Sequence, residues 1–399
     1  MKTLLVLAST YPRWAGDPEP GFVHELAKRL ARDFRVVVLG PHAPGAKRRE
    51  MLDGVDVVRY RYAPEQWETL VNDGGIVTNL KLHRWKLLLV PSFILMQAWW
   101  AWRLCRQERV DVVHAHWLIP QGVIAAWLGK PFLVTSHGAD LYALRSGPLR
   151  ALKRFVLRKA WAATVVSNAM RDAMAELGAD LAKVSVVPMG VDMSARFVPD
   201  DAVPRSRGEL LFVGRLVEKK GLRHLLDALP AVLSERPDVV LTIAGFGPEE
   251  ERLRAQVREL GLQDAVRFLG PVAQKDLPEL YRRAALFVAP FVRAESGDQE
   301  GLGLVLMEAA GCGCPILAGD VPAVRDVVGD RREVVVDPMK TEQLAGRILE
   351  VLADPSAACR QASRFLEVLQ ARFDWAHVAE RYGDALSQGI AEAKSPRCP

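Results

Sequence analysis

Two doubly wound α/β domains in succession are what this sequence predicts, and three observations carry that reading. Short apolar runs alternate with helix-length amphipathic segments along the whole chain, the pattern of parallel sheets covered by helices. The alternation breaks once, at 197–208, where FVPDDAVPRSRG is rich in proline and charge and reads as a linker. Finally, 399 residues with 50% hydrophobic and 25% charged side chains make an ordinary globular composition with enough length for two or three cores. Disordered and fibrous chains are excluded.

Taken in order, the first half offers strands at Leu4–Ala8, Val36–Leu39, Val112–His114, Phe132–Thr135, Ala163–Val166 and Val184–Val187. A helix over Phe22–Arg32 follows the first of them. The second half offers Leu210–Val213, Val240–Ala244, Val266–Phe268, Leu286–Ala289, Ile316–Ala318 and Val334–Val336, with helices between. Trp375–Ala393 reads as a closing helix. The expected organisation is a first domain at 1–196, the linker at 197–208, a second domain at 209–374, and a terminal helix at 375–399 crossing back towards the first domain. Ligands in such sheets lie outside the carboxyl ends of the strands, so two facing domains are expected to make a deep cleft between them.

Charge is unevenly spread. Residues 1–195 hold 26 Lys and Arg against 17 Asp and Glu, a balance of +9, whereas the remainder holds 27 against 31, for a net +5 overall. The basic half is therefore expected to meet something anionic. Five cysteines (Cys105, Cys312, Cys314, Cys359 and Cys398) are too few and too scattered for a disulfide framework, which makes a reducing cytoplasm the default. The one-residue spacing of Cys312-Gly313-Cys314 suits a small-residue turn better than a metal or redox site. The start, Lys2 through Thr10, is too short in its apolar part for a signal peptide and reads as a buried strand.

Leu87–Trp102 is the least polar stretch. It has sixteen residues with Pro91 inside, short of the ~20 needed to span a bilayer. Lys81, Arg84 and Lys86 precede it, Arg103 and Arg106 follow, and Trp99, Trp100 and Trp102 gather at one end, as in aromatic belts at a lipid–water boundary. A buried helix and a helix that packs partly while touching a membrane both fit.

The strongest chemical signal is ESGDQEGLGLVLMEAA at 295–310. Gly301 and Gly303 fall near a helix start, where free N–H groups and the positive dipole end attract anions and polar oxygens. Glu300 and Glu308 would stand roughly 12 Å apart along a helix. That is too far for the paired carboxylates of a retaining glycosidase, which need about 5 Å. The spacing suits two carboxylates gripping hydroxyls at opposite ends of one long ligand.

A second signal is Gly214-Arg215-Leu216-Val217-Glu218-Lys219-Lys220-Gly221, directly after a strand. Arg215 and Lys220 are placed to meet a diphosphate, or they belong to a solvated charged turn. Gly245 and Gly247 make a weaker glycine turn. In the first half, Gly21 ends a loop that either lets a backbone N–H approach a ligand or is a plain turn. His137 follows a strand end, and His114 and His116 share a strand face. Three histidines invite zinc, but nothing supplies a metal-bound water mechanism, and polar lining explains them as well. Gly301-Leu302-Gly303 begins like a dinucleotide fingerprint with Asp320 about twenty residues on. The third glycine position, however, holds Leu306, and some ten residues part the glycines from their strand.

Taken together, Glu300-x7-Glu308, the Gly-Arg-x4-Lys-Gly loop and the His-Gly loop resemble the retaining glycosyltransferases of family 4, of the bacterial cell-envelope and exopolysaccharide type, from Leu4 to about Asp374. The resemblance implies a GT-B fold, two facing Rossmann-like domains with an interdomain cleft. It implies that Glu300 contacts the donor sugar, that Glu308 holds the ribose hydroxyls, and that the backbone of Gly301, Leu302, Gly303 and Leu304 meets the sugar and diphosphate. Arg215 and Lys220 would hold the diphosphate, Gly21 would close over it, Val272 would pack on the base, and His137 would lie beside the transferring sugar. His137 and Glu300 are thus the expected catalytic groups. Many members carry a glycine pair where this chain reads Pro20-Gly21-Phe22.

The expected reaction moves a sugar from a nucleotide-diphosphate donor to a saccharide or lipid-linked acceptor with retention, the outgoing phosphate taking the acceptor's proton. No Asp-x-Asp occurs in the chain, so no metal is demanded and no cofactor is expected. Arg150, Arg154 and Arg158 recur every fourth residue, with Lys153 alongside, in a run free of acidic residues. They form either a solvated helix face or a patch docking on an anionic inner leaflet. A cytoplasmic enzyme held peripherally at the inner face of the membrane is the expected setting, with no nucleic-acid partner. The rival readings are a sugar-nucleotide epimerase or hydrolase of the same fold, and a two-lobed binding protein.

Overall fold

The computed structural model describes residues 1–17, 21–72, 75–142 and 146–394, with Val77, Thr78, Lys81 and Lys394 described by backbone alone. Pro20, Cys398 and the side chain of Lys81, singled out above, lie outside that description. The chain divides into two compact units, Met1–Met189 joined by the chain from Val378 on, and Gly190–His377.

In the first unit β1 (Lys2–Leu7) leads through α1 (Phe22–Leu30) to β2 (Phe34–Pro41). A hairpin of β3 (Arg49–Leu52) and β4 (Val55–Tyr60) follows, then α2 (Gly75–Leu82) and the long α3 (Leu89–Gln107), entered through a 3₁₀ turn at Arg84–Leu88. The alternation continues with β5 (Val112–His116), α4 (Val123–Trp127), β6 (Phe132–Ser136), α5 (Ala139–Tyr142), α6 (Gly147–Lys159), β7 (Ala162–Val165), α7 (Asn168–Glu176) and β8 (Val184–Val186). The eight strands run β3-β4-β2-β1-β5-β6-β7-β8, parallel except for the β3–β4 pair. Strands with helices on both faces are buried on both, so β5 and β6 carry no exposed residue. The hairpin was not expected from the sequence. Its turn is Asp53-Gly54, both at positive φ (49° and 83°), the two-residue connection that matches strand twist.

The second unit begins with β9 (Glu209–Val213), α8 (Leu222–Glu235), β10 (Val240–Ala244), α9 (Glu250–Glu259), β11 (Val266–Gly270) and α10 (Leu277–Arg283). It continues with β12 (Leu286–Ala289), α11 (Leu304–Gly311), β13 (Ile316–Gly319), α12 (Pro322–Val328), β14 (Val335–Val336), α13 (Thr341–Ala353) and α14 (Pro355–Phe373). Its six-stranded sheet, β11-β10-β9-β12-β13-β14, is parallel throughout. Leu210, Phe212, Leu225, Ile243, Val288 and Leu317 belong to one buried cluster under helices.

The unit boundary falls at Met189/Gly190, ahead of the position expected, and residues 197–208 are no free linker. Phe197 is buried with its ring 6.1 Å from Tyr281, and the Arg205 guanidinium donates to the carbonyls of Ala284 (2.6 Å) and Gly313 (3.1 Å). The prolines and charges there form a strap on the second unit. The last helix, α15 (Trp375–Lys394), starts in the second unit and belongs to the first from Val378 on. There the Tyr382 hydroxyl donates to Val187 O (2.9 Å) and Arg381 to Val186 O (2.7 Å).

The apolar stretch at 87–102 is neither wholly buried nor detached. The helix spanning Arg84–Gln107 is long and apolar enough to cross a membrane by length and composition. Yet α3 buries Leu89, Phe93, Gln97, Ala101 and Leu104, and the Gln97 amide donates to Ala8 O (3.1 Å) beyond the end of β1. It is built into the first unit along one side.

Candidate active site

In the second sheet β10 and β11 lie to one side of β9, whereas β13 and β14 lie beyond β12 on the other. The loops after β9 and β12 therefore leave the sheet side by side at the point where strand order reverses, the place such sheets use for ligands. Backbone bonds lock them together: Val292 N–H donates to Lys219 O (3.0 Å) and Glu295 N–H to the Glu218 carboxylate (2.8 Å). Gly221 makes the approach possible, since at φ 69° an added Cβ would sit 1.8 Å from Pro290 O.

This juxtaposition brings two of the expected residues into contact. Lys220 Nζ donates to Glu300 Oε2 at 2.7 Å and sits 4.6 Å from the Phe291 ring centre. Lys219 Nζ pairs with Asp298 at 3.1 Å, and Arg215 acts on both Lys220 and Glu300 through its charge. The Lys220 and Glu300 side chains are 13% and 15% exposed, sheltered yet reachable. Burial pushes the Glu300 carboxyl up, but Lys220, Lys219 and Arg215 together outweigh it and hold the group at about 2. Burial lowers Lys220 while the Glu300 charge opposes it. The result is an ionised carboxylate in a pocket of cations, suited to an anionic ligand that can take the lysine over.

Gly301, Leu302 and Gly303 are buried, and Gly303, at φ 82°, caps α11 without a side-chain bond. The Leu302 side chain points into the core, which leaves only its backbone for a ligand. Glu308, one turn into α11, is already held: Gln274 Nε2 donates to Oε1 (2.9 Å) and the Tyr281 hydroxyl to Oε2 (3.0 Å). Burial raises its pKa against those two donors. Gln274 lies two residues beyond the half-buried Val272 on the loop after β11, so Val272 and Glu308 belong to one neighbourhood.

The first unit has its own reversal point, between β1 and β5. Gly21 precedes α1, and the ring of the next residue, Phe22, lies 4.9 Å from that of His137. His137 and His116 stack with ring centres 5.2 Å apart and 8° between planes, and His116 Nδ1 lies 2.9 Å from His137 Nε2. Asp140 fixes the loop by accepting from Ser136 Oγ (2.9 Å), His137 N–H (3.2 Å) and Leu118 N–H (2.8 Å). Beneath lies His114, whose Nε2 is 2.7 Å from Thr135 Oγ1. Burial lowers all three histidines, His114 and His137 to about 3, so they are neutral near pH 7. Trp117 beside them has φ 76°, a conformation costing a bulky residue about 1–3 kcal/mol. Its N–H donates to Thr135 O at 2.7 Å. Among the described residues no group of three or more potential ligands is arranged to hold a metal ion.

Two family models match. "Glycosyltransferase Family 4" covers residues 22–195 and "Glycosyl transferases group 1" covers 198–365. A glycogen synthase of Mycobacterium tuberculosis is 32% identical over 287 residues, 69% of this chain and 68% of that protein. The chain belongs to the family-4 glycosyltransferases. A GDP-mannose-dependent alpha-(1-6)-phosphatidylinositol monomannoside mannosyltransferase of the same organism is 30% identical over 268 residues, 64% of this chain and 69% of that one. In fold, the chain is similar to sucrose-phosphate synthase from Thermosynechococcus elongatus, with TM-score 0.77 at 20% identity over 98% of this chain and 100% of that one. The fold class is GT-B, built of two Rossmann-like units.

Several neighbours in this glycosyltransferase were not foreseen: Lys219, Asp298 and Phe291 around the ion pair, Gln274 and Tyr281 on Glu308, Phe22 and Trp117 on His137. Only Lys219 carried a visible signal, as the second cation of its loop. One expectation is corrected. Lys153 is not part of an exposed basic patch: it is 1% exposed, with Nζ donating to Leu141 O (3.0 Å). Arg150, Arg154 and Arg158 remain on the exposed side of α6.

Proposed function

We propose that this glycosyltransferase moves a hexose from a nucleoside-diphosphate donor to a saccharide or lipid-linked acceptor, with retention and without a metal, in building cell-envelope polysaccharide. The observation that carries the reading is the Lys220–Glu300 pair, flanked by Lys219 and Arg215 and set just ahead of α11. Breaking the anomeric C–O bond leaves charge on the departing phosphate. Lys220, Arg215 and the N–H groups of Gly301 to Leu304 take up that charge in this reading. As a diphosphate draws Lys220 towards itself, Glu300 is freed to accept from a sugar hydroxyl. Glu308 takes the ribose hydroxyls by exchanging the bonds it now receives from Gln274 and Tyr281, and Val272 packs on the base. His137, neutral and oriented by His116 and Asp140, bonds a sugar hydroxyl without acting as an acid, and Gly21 admits the diphosphate to its backbone. The outgoing phosphate removes the acceptor's proton.

Two cationic side chains and a helix start supply what a divalent ion would otherwise supply, and the chain has no Asp-x-Asp. The reaction is assigned to the cytoplasmic side, where unpaired thiols such as the buried Cys105, Cys312 and Cys314 persist. The lipid-linked acceptor draws support from the basic first half and from the relative named for a phosphatidylinositol mannoside.

Melting curves with UDP, GDP and ADP identify the base. Transfer from the matching nucleotide sugar then tests the reading: product anomers by NMR should match the donor's, and EDTA should leave the rate unchanged. Equal release of sugar and nucleotide without any acceptor would instead make the protein a hydrolase.

A further inference from the structure

We infer that α3, α4 and α6 together form a docking face for an anionic lipid bilayer, an assignment that rests on the lipid-linked acceptor proposed above and gives it a place to be met. Right-handed crossovers put these three helices on one face of the first sheet, and they pack side by side, α3 on α4 and α4 on α6. Opposite its buried stripe, α3 turns Leu95, Trp99, Trp102 and Arg106 outward at helical spacing. Leu95 is 67% exposed, Trp99 45% and Trp102 47%, whereas Trp127 on α4 reaches 79%. Trp127 lies 6.3 Å from the Phe155 ring of α6, which continues the apolar surface across the layer.

The charge on this layer has one sign. From residue 75 to the end of α6, acidic residues occur only at Glu108, Asp111 and Asp140. Asp140 is buried, Glu108 is paired with Arg35 and Arg49, and Asp111 accepts from Thr3 N–H. Exposed cations, in contrast, recur on both flanks: Arg103 and Arg106 on α3, Arg150, Arg158 and Lys159 on α6. Arg103 lies 5.4 Å from the Trp99 ring centre and Arg106 4.1 Å from that of Trp102. Apolar rings interleaved with arginines match the headgroup boundary, where rings enter the acyl edge and guanidinium groups stay with phosphates. The Gln97 bond to Ala8 O keeps α3 fixed in the domain, so the face lies on the bilayer and the helix does not cross it.

The test is flotation of the full chain with vesicles of phosphatidylcholine alone and with about 30% phosphatidylglycerol, in 50 and 500 mM salt. Each basic residue near an anionic surface adds about fivefold to binding. At least tenfold stronger binding to the anionic vesicles, lost at high salt, is expected. Changing Trp99, Trp102 and Trp127 together to Gln should weaken it by about tenfold or more with an unaltered melting temperature, and Arg150→Gln with Arg158→Gln should weaken it for anionic vesicles alone. Equal binding to both vesicles, or triple-variant binding at the parent level, overturns the assignment. So does concentration-dependent dimerisation that the triple variant abolishes in place of vesicle binding, since the face would then be covered by a second copy. Stabilisation by nucleoside diphosphate is read in parallel. A chain that ignores vesicles yet is stabilised by nucleotide loses only the docking face, whereas one that binds vesicles but no nucleotide loses the donor site.

Discussion

Before any ligand arrives Lys220 already has a partner, and that decides how its loss is felt. Lys220→Ala removes a diphosphate contact and leaves the Glu300 carboxylate without its nearest counter-charge. Transfer should fall by about 100-fold or more, and nucleoside diphosphate should no longer raise the melting temperature. Glu300→Gln should keep most of the nucleotide's effect on melting and lose turnover to a similar extent. A near-parental rate in that variant would remove Glu300 from the chemistry. Gly21 poses a different question, because its φ of −88° suits any residue and an added Cβ would find only Pro12 Cγ, at 4.0 Å. Gly21→Ala should therefore melt like the parent and yet bind donor more weakly, by about tenfold; unchanged affinity would make the glycine incidental. Glu300, Lys220 and His137 stood out in the sequence as candidates because each lies in a polar, glycine-bearing loop that follows an apolar strand. Tyr281 and Gln274 were not legible, for they lie 27 and 34 positions from Glu308 and meet it only once the strand order is known.

At the level of elements, the two loops over the second sheet depend on backbone that side chains cannot enter. Gly221→Ala would drive a Cβ into Pro290 O, and with φ at 69° the loop must shift. A loss of roughly 3 kcal/mol or more is expected in denaturant unfolding. Gly346 inside α13 has nothing within 4 Å of an added Cβ, so Gly346→Ala should stabilise by about 0.5–1 kcal/mol. Similar effects from the two changes would refute the packing argument. Strands buried on both faces announce themselves as apolar runs, which is why β10 and β12 were placed to the residue. The β3–β4 hairpin escaped because Arg49 and Glu50 dilute its alternation, although the Asp53-Gly54 pair was a readable turn signal. The 197–208 segment misled in the other direction, since proline and charge mark a strap as readily as a linker.

For the whole molecule, acid should act on the first unit through its histidines. His114 and His137 are held near 3 in the fold, against about 6.5 when unfolded. Between those values the unfolded chain carries protons that the native one lacks, so stability is complete above pH 6.5 and falls as pH drops. For the fully buried His114 alone the loss from pH 6.5 to 5 is about 2 kcal/mol. Glu300 works in a lower window, its stabilising ionisation being lost only as pH falls from about 4.5 towards 2. Urea unfolding at pH 7 and pH 5 checks this, and His114→Asn should shrink the difference by about 2 kcal/mol, leaving the share of His116 and His137. Equal stability at both pH values would mean the ring is protonated without penalty.

Tyr382 closes the floor beneath those histidines, its ring 5.5 Å from His114, yet it is encoded after every residue of the second unit. A ribosome therefore releases residues 190–377 before it delivers the helix that finishes what residues 1–189 began. During synthesis the later-encoded unit is completed first, and the earlier one waits, its sheet already strung together but uncapped, until the codons for α15 are translated.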